Sequence, residues 1–163
     1  MAILVSARIR FQCKLVCHDR MGHYKGVTGF IQGFRVSLLC VYAPPTLSVD
    51  FTHTLHKRLN ELPLGIQVVG GDFNKVLDTG LDRPSGDGTI GAFSWPTPLA
   101  GFARMAGLIV AWRWCHPGER SYSFFSAAHN SFSKLDTFMV PGPDCSRILD
   151  SHILAWAFRT TRQ

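Results

Sequence analysis

Two kinds of hydrophobic pattern divide the chain. Short runs rich in apolar and β-branched residues, bounded by glycine, proline and polar clusters, predict β-strands. These runs cover residues 2–9, 26–32, 35–42, 66–69, 108–112, 122–126 and 134–140. The run at 35–42 is apolar at nearly every position, which predicts a central strand covered on both faces.

The second pattern has helical spacing. Large apolar side chains recur every three or four positions at Phe51, Leu55, Leu59 and Leu62. Because Ser48 is a good N-terminal cap, we expect a helix over residues 48–62. A shorter helix is expected at 98–106, ended by Gly107. Turn-forming and polar residues predict a long surface loop at 77–97 and a turn at 127–133.

The order of these elements indicates the fold class. Strands mixed with few helices favour two mixed β-sheets packed together and flanked by helices, an α/β sandwich. Neither a linker nor an internal repeat interrupts the chain. We therefore expect a single domain over residues 1–163.

The charge of the chain favours a polyanionic partner. Seventeen Lys and Arg against eleven Asp and Glu give a net charge of +6 and a pI of about 9.4. Such a basic surface suits nucleic acid, although many basic domains bind none. Candidates for a phosphate-binding surface, with a solvated face as the alternative, are Arg8, Arg10, Lys14, Arg113 and Arg120.

The same composition bears on where the protein works. Five scattered cysteines indicate a reducing compartment without a disulfide framework. No apolar stretch approaches the roughly 20 residues of a membrane span. The first apolar run is shorter than the roughly 7–15 residues that a secretory signal needs. We expect an intracellular protein, nuclear or cytoplasmic, without a membrane segment.

Candidate chemistry lies where one apolar run stops. Asp72 and Asn74 follow Gly70 and Gly71 at the end of the run at 66–69. A carboxylate at the end of a buried strand is held in a fixed geometry, as catalytic groups often are. The glycines would let the backbone turn tightly and leave room for a ligand. Turn chemistry alone is the alternative, since Gly, Asp and Asn are favoured turn residues.

Four segments, taken together, carry a family resemblance. They are LLCVYAPP (38–45), VVGGDFN (68–74), WRWCHPGERSYSFFS (112–126) and HNSFSKLDTFMVP (129–141). In this order they resemble the endonuclease/exonuclease/phosphatase superfamily, and most closely the endonuclease domain of LINE-type retrotransposons. The resemblance runs over nearly the whole chain. It implies a four-layered α/β sandwich of the deoxyribonuclease I kind.

The resemblance also implies a function and a catalytic site. The function is a phosphodiesterase that uses Mg²⁺, with Mn²⁺ as an alternative, and nicks DNA to leave a 3′-hydroxyl for reverse transcription. Asp72 then orients or deprotonates the attacking water, while Asn74 and the Tyr42 hydroxyl hold the scissile phosphate. Asp136 pairs with the final histidine, His152, which stabilises the phosphate in the transition state.

Other residues of these segments have weaker assignments. His129 and Asn130 are candidates for contacts to the DNA backbone, with turn chemistry as the alternative. His116 belongs to a loop expected to pack beside the groove, and Trp112 to packing rather than base stacking. Lys134 stands where the family usually has arginine, which keeps the charge but loses the bidentate fork.

The chain departs from the family in two places. The family's leading segment, with the glutamate that is the principal metal ligand, has no counterpart, and neither Glu61 nor Glu119 fits that role. The family's final Ser-Asp-His reads Asp150-Ser151-His152, which leaves Asp150 as the candidate metal ligand. We therefore expect an incomplete domain, lacking the family's first strand-helix segment, with weak or no activity and an exposed apolar edge.

Three functions stay open at this point. The first is a LINE-like DNA endonuclease domain, either a monomer or part of a longer polyprotein with a reverse transcriptase. The second is a catalytically silent remnant that binds nucleic acid. The third is a phosphoesterase of the same fold that acts on small substrates such as sugar or inositol phosphates. The net charge of +6 favours a polymeric substrate.

Overall fold

The computed structural model describes residues 1–84 and 97–154. Its strands are β1 (Phe11–His18), β2 (Tyr24–Ile31), β3 (Phe34–Tyr42), β4 (Ile66–Asp72), β5 (Leu108–Val110), β6 (Phe124–Ser126), β7 (Ser131–Ser133) and β8 (Asp136–Pro141). Its helices are α1 (Val49–Glu61), α2 (Pro98–Met105) and α3 (Ala111–Cys115), with a 3-10 helix at Gly142–Arg147. No helix among these residues is long and apolar enough to cross a membrane.

Six strands form one mixed sheet, in the order β1-β2-β3-β4-β8-β5. Strands β3 and β4 are parallel, and every other neighbouring pair in this sheet is antiparallel. Strands β6 and β7 form a separate two-stranded sheet. With helices packed on the larger sheet this is an α/β fold, as predicted, and its layering is compatible with a sandwich.

The helices begin where the sequence predicts. The Ser48 hydroxyl accepts a hydrogen bond from the Phe51 amide at 3.1 Å and caps α1. The Thr97 hydroxyl caps α2 in the same way, accepting from the Ala100 amide at 3.1 Å. Both helices pack their apolar sides on one face of the sheet, in a core that includes Leu39, Val41, Leu55, Leu59, Val69, Phe102 and Met139.

The opposite face of the sheet is also apolar. A cavity of 320 Å³ on this face is lined by Leu38, Cys40, Val68 and Phe138, together with residues 2–4. Phe138 is 64% exposed although it stands on an inner strand. The candidate site residues lie at one end of this second face.

Three element predictions are wrong. Residues 2–9 form no strand, and the first strand is β1, whose side chains are mostly exposed because it is an edge strand. The run at 108–112 ends as a strand at Val110, and the backbone continues as α3. The turn predicted at 127–133 contains β7, which pairs with β6. Residues 85–96 of the predicted loop lie outside the described residues.

Candidate active site

Three of the predicted site residues stand in one row across the sheet. Tyr42, at the end of β3, lies beside Asp72, the last residue of β4. Asp72 in turn lies opposite Asp136, the first residue of β8. Neighbours in such a row point to the same face of a sheet. By this register the row shares its face with Leu38 and Phe138, on the side away from α1 and α2.

The glycines before Asp72 belong to β4 and pack against neighbouring strands, so their interpretation as a tight turn is wrong. Gly71 has a φ of 145°, and a Cβ added there would lie 1.9 Å from the carbonyl oxygen of Val41. The space beside Gly70 is filled by the ring of Phe138, 2.3 Å from an added Cβ. These glycines let β4 approach its neighbours closely, and Asp72 follows them at the end of β4.

Asp136 has an unusual electrostatic setting. Partial burial raises the pKa of its carboxyl, and the negative charge of Asp72 across the strands raises it further. A hydrogen bond with the Ser123 side chain acts in the opposite direction. The Ser123 hydroxyl also accepts hydrogen bonds from the amides of Leu135 and Asp136, at 3.0 and 2.9 Å. Asp136 therefore takes up a proton more readily than an isolated aspartate, as expected for two carboxylates that share a site.

Asp136 and His152 both line one cavity of 260 Å³. His152 lies on an irregular segment, residues 148–154, and its side chain is 68% exposed. Its Nε2 is 2.8 Å from Oδ2 of Asp150, whose Oδ1 accepts a hydrogen bond from the Ser151 amide at 2.7 Å. Asp150, one step along the chain from the family's position, is thus the carboxylate that pairs with His152. The pairing with Asp136 stays a prediction.

His116 ties the segment that carries His152 to the end of α3. Its Nε2 lies 2.9 Å from the carbonyl oxygen of Ser151, and its Nδ1 lies 3.2 Å from the Glu119 carboxylate. Its ring stacks on Trp112, with the ring centroids 4.8 Å apart. The Glu119 carboxylate raises the pKa of His116, and the Ser151 carbonyl raises it further. The HPGER motif marks this loop, but it gives no sign of the contact with Ser151.

A buried charge cluster adjoins the first cavity, which Lys134 and Trp112 help to line. Oδ1 of Asp82, a residue 2% exposed, lies 2.5 Å from the Lys134 ammonium and 2.9 Å from the Arg113 guanidinium. Both cations also lie over the Trp112 ring, at 4.6 and 5.0 Å from its centroid. Burial lowers the pKa of Lys134, and the Asp82 carboxylate opposes that shift. Arg113 is therefore held by Asp82 and is not part of an open phosphate-binding surface, while Trp112 has the packing role predicted.

Three of the four predicted substrate-binding residues line a second cavity, of 740 Å³, and Tyr42 does not. Asn74, His129 and Asn130 all line it, with Arg83 and the exposed rings of Phe124 and Phe132. Asn74 adopts a φ of 51°, and its amide N–H donates to Oδ1 of Asp72 at 2.8 Å, which links this cavity to the row of Tyr42, Asp72 and Asp136. Its side-chain NH₂ donates to the Ala43 carbonyl at 2.7 Å, which holds its carboxamide against the end of β3.

Solved structures share this architecture, although none of the protein-family models compared with the chain matches it. The catalytic domain of Xenopus laevis APE2 superposes with a TM-score of 0.62 at 14% identity, over 77% of this chain and 48% of that one. The AP endonuclease LMAP from Leishmania major gives 0.57 at 17% identity, over 77% and 47%. The endonuclease domain of TRAS1, a telomere-specific non-LTR retrotransposon, gives 0.57 at 12% identity, over 86% and 59%.

The chain has the endonuclease/exonuclease/phosphatase fold. It covers about half the length of the first two of these structures, 48% and 47%. The fold predicted from the sequence resemblance is confirmed by these superpositions. At identities of 12–17% they establish the fold alone.

The sequence resemblance predicts a Mg²⁺ ion at this site. Within residues 1–84 and 97–154, no three His, Cys, Asp or Glu side chains are grouped so that they could hold a metal ion. Asp150, the predicted ligand, uses its two carboxylate oxygens within its own segment, on His152 and on the Ser151 amide. Hard cations need several oxygen ligands. No group of such ligands for a hard cation is therefore found among the described residues.

Proposed function

We propose that this chain is a DNA phosphodiesterase domain, related to the endonuclease domains of LINE-type retrotransposons. One observation carries the proposal: Tyr42, Asp72 and Asp136 stand in one row at one end of three inner strands, and His152 lines the same cavity as Asp136. These are residue types that phosphodiester hydrolysis needs at one place: a base for water, donors for the phosphate, and a group for the developing charge.

In the proposed mechanism each residue acts on a different part of the reaction. Asp72 accepts a proton from the attacking water, and its carboxylate is oriented by the Asn74 amide. The Tyr42 hydroxyl, on a side chain 51% exposed, donates to the scissile phosphate. His152, when protonated, stabilises the negative charge that develops on the phosphate. Asp136, whose pKa is raised by partial burial, lines the same cavity as His152 and orients its ring.

The second cavity favours a polymeric substrate over a small phosphoester. It adjoins the catalytic row through Asn74, and its 740 Å³ are lined by polar side chains and by the rings of Phe124 and Phe132. We propose that His129 and Asn130 contact the DNA backbone there, since amide and imidazole groups donate to phosphate oxygens. The association with a reverse transcriptase rests on the sequence resemblance and belongs to the same proposal.

The deciding experiment is nicking of supercoiled plasmid by the purified chain. We expect weak nicking that Asp72→Asn lowers by about 100-fold or more, the usual loss when a general base is removed. The control is Glu61→Gln, the same change from carboxylate to amide on the exposed end of α1. Each protein is assayed with Mg²⁺, with Mn²⁺ and with a chelator, which tests the predicted cofactor directly.

Two results would contradict the proposal. Retention of DNA by a folded protein without nicking under any of the three conditions would leave a silent nucleic-acid-binding domain. Release of phosphate from a small monoester, without nicking of plasmid, would indicate a phosphoesterase of the same fold. In either case Asp72→Asn and Glu61→Gln would behave alike in the plasmid assay.

A further inference from the structure

A basic surface lies away from the candidate active site. It is a concavity of 440 Å³ beside the edge strand β1, lined by Arg10, Gln12, Lys14, Phe30, Gln32 and Gly33. Arg35 adds a third cation, with its guanidinium carbon 5.5 Å from the centroid of the Phe30 ring. We refer to these seven residues as the edge-strand surface.

The edge-strand surface lies at the other end of the strands from the catalytic row. It borders the turn between β2 and β3, where β3 begins at Phe34, while Tyr42 is at the end of β3. At about 3.3 Å per residue the two ends of β3 are about 25 Å apart. None of the residues that line this concavity lines either cavity of the candidate active site.

Positive charge predominates around this surface. Residues 1–49 contain six Lys and Arg side chains against one acidic side chain, Asp19, and so carry five of the six net positive charges. In the described part of the chain, no acidic group lies within ion-pairing distance of Arg10, Lys14 or Arg35. Like charges that are grouped without counter-charges attract a polyanion and favour its binding.

The side chains that line the concavity indicate which class of partner it binds. Guanidinium and ammonium groups are the usual donors to phosphate oxygens, and the carboxamides of Gln12 and Gln32 add neutral donors. Arg10 directly precedes β1, Lys14 lies on β1 and Arg35 lies on β3, so the cations are spread over the concavity and suit several phosphates rather than one. We infer that the edge-strand surface binds the phosphate backbone of nucleic acid, as a contact separate from the candidate active site.

This inference is tested by binding and does not need catalysis. The variant Arg10→Gln with Lys14→Gln removes two cations from the surface. The matched control, Lys57→Gln with Arg104→Gln, removes two exposed cations from α1 and α2, so both proteins lose the same net charge. Affinity for a fluorescently labelled DNA duplex is measured by anisotropy over a series of salt concentrations, after circular dichroism has shown that both variants are folded.

We expect the surface variant to bind DNA about 10-fold more weakly at low salt. The plot of the logarithm of the association constant against the logarithm of the salt concentration should become less steep by about 1.8, or 0.9 for each lost phosphate contact. The control should change the slope by much less. Equal slopes in the two variants, or no DNA binding by the unsubstituted chain, would overturn the inference.

Leu15 and Val16 are exposed further along β1, so an anionic lipid surface is the competing partner. The same variants are therefore tested for binding to vesicles that contain phosphatidylserine. Loss of vesicle binding with unchanged DNA binding would also overturn the inference. A chain that nicks no plasmid but shows the predicted difference in slope would refute the proposed function and leave this inference standing.

Discussion

The two halves of the candidate active site are held in different ways. Tyr42, Asp72 and Asp136 stand on three adjacent strands, and their positions follow from the register of the sheet. Beyond the last ladder pairs, the Ala43 amide donates to the Asp72 carbonyl at 2.8 Å and fixes the ends of β3 and β4 together. His152 stands on an irregular segment, is 68% exposed, and has its backbone held through the contact of its neighbour Ser151 with His116.

This difference predicts which substitutions affect folding and which affect only the geometry of the site. In the row, geometry and folding are coupled, because the backbone that places the carboxylates is the backbone of the central sheet. In the segment at 148–154, geometry depends on a few side-chain contacts, so the position of His152 should change without loss of the fold.

The largest effect is expected in β4, from Gly71→Ala. An added Cβ would lie 1.9 Å from the Val41 carbonyl oxygen, at a φ of 145° that other residues rarely adopt. We expect a loss of about 3–5 kcal/mol in the free energy of unfolding, from backbone clash and strain together. The measurement is urea denaturation followed by circular dichroism.

Gly70→Ala is the matched control for Gly71→Ala. Its added Cβ would meet the ring of Phe138, which is 64% exposed and free to rotate away. We expect a loss below about 1.5 kcal/mol. If the two alanine variants were equally stable, the close approach of β4 to β3 would not be what places Asp72.

Much of the row could be predicted from the sequence because its signals are local. The apolar run before Asp72 marks the end of a strand, and the run at 35–42 marks the central strand that ends at Tyr42. The helix α1 could be predicted for the same reason, since Ser48 and the helical spacing of its leucines are neighbours in sequence. The family resemblance added Asp136 to this set without any information on the register that places it opposite Asp72.

The contacts of the second half could not be predicted, because they join distant and irregular segments. His116 and Ser151 are 35 residues apart, and neither belongs to a strand or to a long helix that would leave a periodic pattern. The pairing of His152 with Asp150 depends on a backbone that is not a strand, where the alternation of faces along a strand does not apply. Strand β1 could not be predicted for a related reason: an exposed edge strand has no continuous apolar run.

A smaller effect is expected from removing the tether on His152. His116→Phe keeps a ring on Trp112 but has no donor for the Ser151 carbonyl, whereas His116→Gln keeps a donor and loses the stacked ring. We expect the phenylalanine variant to lower kcat for nicking by about 10- to 100-fold, the cost of a misplaced catalytic group. The glutamine variant should recover most of that loss, and both should unfold at nearly the unsubstituted temperature.

Hydrogen exchange gives a readout of the tether that is independent of catalysis. The pKa of His116 is raised, first by Glu119 and then by the Ser151 carbonyl, so the protonated ring stabilises the folded contact. That stabilisation is fully present below the usual histidine pKa of about 6.5 and is lost as pH rises through the higher folded value. After correction for intrinsic rates, amides 150–153 should therefore exchange faster above that value. A phenylalanine variant with the same pH profile would show that His116 does not hold this segment.

The smallest effect is expected at the row itself, from Asp136→Asn. Burial and the charge of Asp72 raise the pKa of Asp136, so at neutral pH the ionised carboxyl destabilises the folded state. This penalty appears as pH rises through the raised folded pKa and is absent below the usual aspartate pKa of about 4. We expect Asp136→Asn to raise Tm by about 1–3 °C at neutral pH and to leave it unchanged in acid.

In Asp144→Asn, the same change at a carboxylate paired with Arg147, no such gain is expected. A loss of stability in Asp136→Asn at neutral pH would mean that the carboxylate of Asp136 stabilises this end of the sheet. The row would then be a structural rather than a catalytic feature.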